Sequence, residues 1–247
     1  MPFRIGSGIS RPLETREGSP LDQIFRKVGQ IIGVLSILFL LSFGQQTAAT
    51  AEEWDSSDYG WFLAGGAAGF ILHESAHALV SESFGFDARL ESRREPIPFV
   101  VVRYDLVAVK SESGRIQYTD EEGRPVSEGA QKQYTIASAG INSQNISSEI
   151  ILTLRPNLRE ERRPFLKGML AFDVLTSVGY ALVGRKDPDG DLRGMSEALG
   201  VDDKLVAAII FLPAGLDAYR YYYPKSRWAP WASRAAKGYL LGLSLRW

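Results

Sequence analysis

The chain contains two histidines, and both lie in one short stretch, FILHESAHALV, as His73 and His77 with Glu74 beside the first. Residues four apart in a helix share a face one turn apart, so the two imidazoles can grip a single divalent ion. A carboxylate next to the first ligand then reaches the metal's open side and can take a proton from the water held there. The spacing predicts a zinc site with two neutral ligands and Glu74 as a separate base. The plainer reading is a helix with two incidental histidines. Against it stands their position among apolar residues, where a polar group without a partner costs about 1–3 kcal/mol.

Catalytic zinc usually takes three protein ligands and leaves one position for water. The sequence has no cysteine and no third histidine, so the remaining ligand must be a carboxylate. Asp191, in RKDPDGDLRG, follows a helical segment; Asp173 lies in the polar stripe of that segment; Glu149 ends a stripe of serines and asparagines. Asp187, Asp189 and Asp191 together also have the composition of a calcium loop, but the glycine precedes the third aspartate where such a loop needs it after. A solvated acidic turn is the remaining reading of that cluster.

These residues need elements to position them. Residues 61–84, WFLAGGAAGFILHESAHALVSESF, predict a long helix without proline that stops near Gly85, with length enough for a membrane span. Gly65 and Gly69 stand two turns and one turn before His73. Glycine inside a helix costs about 1 kcal/mol relative to alanine, so its use here predicts another helix backbone packed close by. From about 86 to 130 the chain turns rich in Val, Ile, Tyr and Phe, broken by SESG and DEEG, and predicts a small β insertion. Helical patterning returns over 134–154, 165–184 and 203–222. Ser138, Asn142, Asn145 and Glu149 share a face of the first, and Asp173, Ser177 and Tyr180 a face of the second. Such stripes predict a polar interior between packed helices.

Composition sets the surroundings. A net charge of −1, with both signs spread along the chain, gives no electrostatic case for nucleic acid. Arg26 and Lys27 precede the apolar run VGQIIGVLSILFLLSFG, and Ala49 and Ala51 supply a small-residue cleavage pattern. Residues 1–51 are thus expected to be a signal peptide or a retained anchor with a long basic lead, and 52–247 the exported domain. Spanning by every apolar segment would put the basic loop RPNLREERRP and the basic C-terminal tail outside, against the positive-inside tendency, and the mean hydropathy of −0.09 is low for a bundle of spanning helices. The C-terminal GYLLGLSLRW alternates like a barrel strand, although the helical patterning upstream argues against a barrel.

An HExxH inside an apolar segment, a β-like insertion, a helix with AGIN at 139–142 and a late Asp-Gly element resemble, in order and chemistry over residues 61–195, the site-two protease family of membrane-embedded zinc metalloproteases. HESAH is the specific part of the match; the family's Asn-Pro and Leu-Asp-Gly sequences are absent. The resemblance implies an aspartate as third ligand, Asp191 or Asp173 before Glu149, and Asn142 as a residue binding substrate backbone. A gluzincin-type site would instead use Glu149. The expectation is a mainly α, membrane-associated helical bundle with a small β insertion after the HExxH helix, located in a bacterial-type cell envelope. Its expected function is that of a zinc-dependent endopeptidase acting on protein or peptide in or near membrane lipid, with His73, His77 and Asp191 on Zn2+, Glu74 as base and Asn142 on substrate. The alternative is a non-catalytic membrane or envelope protein whose metal site is structural or vestigial.

Overall fold

The computed structural model describes residues 54–93, 99–111, 115–182 and 190–246. The leader 1–51 and the aspartates 187 and 189 lie outside the described residues. Among the described residues, six α-helices and two antiparallel strand pairs follow in chain order: α1 (Ser56–Ser83), β1 (Ala88–Arg93), β2 (Phe99–Tyr104), β3 (Val107–Lys110), β4 (Ile116–Thr119), α2 (Gly129–Leu154), α3 (Pro164–Leu182), α4 (Asp191–Leu199), α5 (Asp203–Tyr222) and α6 (Ala229–Arg246). The fold is mainly α, with the expected β insertion present as two antiparallel pairs, Ala88↔Tyr104 to Arg93↔Phe99 and Val107↔Thr119 to Lys110↔Ile116.

The start of α1 is fixed by a capping box. The Asp55 side chain accepts from the Asp58 N–H at 3.0 Å, and Asp58 accepts in return from the Asp55 N–H at 3.2 Å. Arg162 donates to both carboxylates, so the loop before α3 is tied to the same cap. The helix ends before Gly85, whose φ of 80° is a conformation glycine adopts freely.

The buried residues of α1 are Asp58, Gly65, Gly69, His73, His77 and Ser81. The last five recur every fourth residue and form one stripe with no large apolar side chain in it. The outward face holds Leu63, Ile71 and Leu79 instead, each more than 60 % exposed. The helix is polar and small inside, apolar outside. Glycine makes the inner face work: a β-carbon at Gly65 would stand 2.8 Å from the Phe165 carbonyl carbon, and one at Gly168 2.8 Å from that of Phe62. The backbones of α1 and α3 therefore touch, as the glycine strip predicts. Gly69 instead makes room for the Phe172 side chain.

Helix α2 is the central post, buried on nearly every side over Tyr134–Ser148. Tyr134, Ala137 and Ile141 pack with Leu192 and Met195 of α4 and with Val206, Ala207 and Ile210 of α5 in one apolar core. Farther along α2, Ser148 donates to Asp217, which also pairs with Ser233 and Lys237. The predicted stripe on α2 contributes to this polar interior: Glu149 pairs with the same Lys237, and Ser138 and Asn142 meet Ser244 of α6. The C-terminal segment that alternates like a strand is the helix α6; its Leu240 and Ser244 are buried while Leu245 is exposed, a helical and not a two-residue rhythm. Among the described residues, no helix is long and apolar enough to cross a membrane, α1 included.

Candidate metal centre

Each ligand atom is placed by a different constraint. His73 and His77 project from the buried stripe of α1 and are only 3 % exposed. Asp191 is the first residue of α4, where the unpaired N–H groups of a helix start favour a negative charge. α4 itself is held by Leu192 and Met195 in the core and by Gly194, where a β-carbon would stand 3.0 Å from the Ala137 Cβ. The core side chains and the close approach at Gly194 thus deliver the Asp191 carboxylate to the histidines from 114 residues away in sequence.

The result is a compact triangle. His73 Nε2 to His77 Nε2, His73 Nε2 to Asp191 Oδ2 and His77 Nε2 to Asp191 Oδ2 are each 3.2 Å. A tetrahedral ion about 2.0–2.1 Å from its ligands spaces them roughly 3.3–3.4 Å apart. The donor set and its spacing thus fit a divalent metal. His77 Nδ1 donates to the Ile136 carbonyl at 2.7 Å, which orients the ring so that Nε2 faces the centre of the triangle. Gly140, one turn after Ile136, makes this approach possible: a β-carbon there would stand 2.6 Å from His73 Nδ1 and even closer to His77 Nε2.

Electrostatics couple the carboxylate to the two imidazoles. Burial disfavours a charged His77, but the Asp191 carboxylate outweighs this and raises its pKa to about 9. Burial likewise opposes ionisation of Asp191, yet the histidines hold it well below the usual carboxylate range. Glu74 is half-buried beside the triangle, and its Oε2 accepts from the Val102 N–H of β2 at 2.8 Å. Burial raises its pKa against the pull of His73 and His77.

The other sequence candidates lie elsewhere. Glu149 is bound by Arg234 at 2.8 Å and Lys237 at 3.1 Å, along with Arg220, so a gluzincin-type ligand set does not form. Asp173 accepts from Ser147 at 3.1 Å, and burial pushes its pKa up to about 8. Asn142 is two residues beyond Gly140 and so on the far side of α2; its amide donates to Ser244 of α6 at 2.8 Å. The structure thus places the Asn142 side chain in the α2–α6 contact and does not bring it to the histidines. Asp191 opens a helix, where the sequence suggested a turn.

Two participants escaped the sequence reading. Gly140 leaves no mark except a glycine inside a helix, which by itself does not say what approaches. Tyr180 donates to Asp191 Oδ2 and lies 3.2 Å from His73 Nε2. Its place on the Asp173–Ser177–Tyr180 face was legible, but its nearness to the histidines depends on how α3 packs on α1. Comparison of the chain with protein-family models, curated proteins and solved structures finds no match.

Proposed function

We propose that this chain is a zinc-dependent endopeptidase working at a membrane, of the site-two protease type that HESAH resembles. The observation that carries the reading is the meeting of His73, His77 and Asp191 in a triangle of tetrahedral-ligand spacing, with a non-ligating Glu74 next to it. A divalent ion bound there supplies Lewis acidity and a nucleophile at neutral pH, lowering the pKa of its water toward about 7. The chain's own groups do the rest. His77, oriented by the Ile136 carbonyl, and His73 hold the ion as neutral donors. Asp191 offsets one unit of its charge. Glu74, anchored to Val102 and with its pKa raised by burial, receives the proton given up as the peptide bond is attacked and returns it to the departing amine.

Strand β2 supports a peptide substrate. Because the Val102 N–H is given to Glu74, alternate residues Val100, Val102 and Tyr104 turn their backbone groups away from β1. No strand covers that edge among the described residues, and it borders the site, so an extended chain can lie along it. The membrane setting is supported by the outward rows of α1 and by Trp231, Tyr239 and Leu245 on α6, set against an interior rich in buried polar groups. The near-complete burial of both histidines favours a second reading, a metal clip without catalysis. Cleavage of a single-span peptide separates them: the enzyme cuts it with zinc and stops in Glu74→Gln, whereas the clip never cuts.

A further inference from the structure

The hydroxyl of Tyr180 stands inside the ligand group. It donates to Asp191 Oδ2, the same oxygen that faces both histidines, and its 3.2 Å separation from His73 Nε2 equals the spacing of the three ligand atoms themselves. The ring lies over His73, with 6.4 Å between centroids and 30° between planes. Its helix α3 packs on the helix that bears the histidines, through the close approaches of Gly65 to Phe165 and of Gly168 to Phe62. A tyrosine that only steadied Asp191 from behind would bond the carboxylate away from the histidines; Tyr180 bonds it on their side.

We propose that Tyr180 is a fourth protein ligand of the metal group. Its Oη bonds the ion through a lone pair while the phenolic proton leaves to solvent; a water that takes its place when substrate enters gives a proton back to the phenolate and supplies the hydroxide used in the proposed reaction. The inference rests on the His73, His77 and Asp191 site, and it makes the resting centre closed by the protein's own phenol instead of open to water.

Copper(II), titrated into the full chain to one equivalent, tests this directly. A coordinated phenolate gives a charge-transfer band in the visible. The wild type is expected to develop that band, saturating at one equivalent. Tyr180→Phe loses it while keeping the copper, and Tyr104→Phe keeps both; the Tyr104 hydroxyl accepts instead from Gln133 at 3.1 Å. Stoichiometric copper in the wild type with no such band overturns the Tyr180 proposal and leaves the three-ligand site standing. Failure to bind copper at all overturns both. Should Tyr180→Phe not fold, resonance Raman of the wild type grown with ring-deuterated tyrosine decides, because phenolate modes that shift with the label come only from a bound tyrosine, and their absence refutes the assignment.

Discussion

Gly140 lies so close to His73 that a β-carbon at position 140 would stand 2.6 Å from the ring's Nδ1. One helix backbone forms the floor beneath both imidazoles. Gly140→Ala should therefore push the rings off the triangle and weaken metal binding by about 10–100-fold or more, the scale seen when groups around metal ligands are disturbed. Gly238 in α6 has nothing within 4 Å of the corresponding point. Gly238→Ala should leave the metal untouched and stabilise the fold by up to about 1 kcal/mol from helix propensity. Metal titration and thermal unfolding of the two variants check the contrast.

Metal affinity should climb with pH through neutrality. His77 without metal keeps its proton until about pH 9, and binding must displace it. The expected slope is about tenfold per pH unit for the one proton, flattening as pH passes the His77 value. Stability of the metal-free protein should move the opposite way. The folded pKa lies above the ordinary 6.5, so this contribution is whole below 6.5 and is lost as pH rises through about 9. Chelator competition and denaturant melts across that range measure the two trends.

Asp173 should cost stability as pH rises. It is buried, and its pKa is pushed from 3.8 up to about 8, so between those values the unfolded chain is ionised while the folded chain still holds the proton. Stability from this group falls by about 1.4 kcal/mol per pH unit across the window and is flat above it. Asp173→Asn, which keeps the shape and can accept from Ser147, should remove that slope and leave metal content unchanged. A metal loss in this variant would mean Asp173 belongs to the site.

Glu74→Gln should retain the hydrogen bond from Val102, since an amide oxygen also accepts, and so preserve both the hairpin and the metal. Loss of the base should lower kcat by about 100- to 10,000-fold. Unchanged turnover on a single-span peptide would remove Glu74 from the chemistry.

The HExxH pair, the glycine strip and the β insertion were legible because each depends on local spacing: His73 to His77, Gly65 in line with His73, and turn residues between apolar runs. The carboxylate that meets the two histidines was legible only as a choice among Asp191, Asp173 and Glu149. What selects Asp191 is the seating of Leu192 and Met195 in the α2–α5 core, a long-range packing event with no local signature. The partner of Asn142 was not legible, because a polar residue on a helix reads alike whether it faces a site or a neighbouring serine. The apolar texture of 61–84 suggested a span, whereas the outward Leu63, Ile71 and Leu79 surround a stripe of glycine, histidine and serine that lowers the mean hydropathy.

The most direct test is elemental analysis of the purified full chain after zinc loading and desalting, beside His73→Ala and Asp191→Ala. One equivalent of zinc in the wild type and less than about a tenth in each variant is the expected result for three ligands acting together. A folded wild type without zinc, or full zinc in Asp191→Ala, would contradict the account.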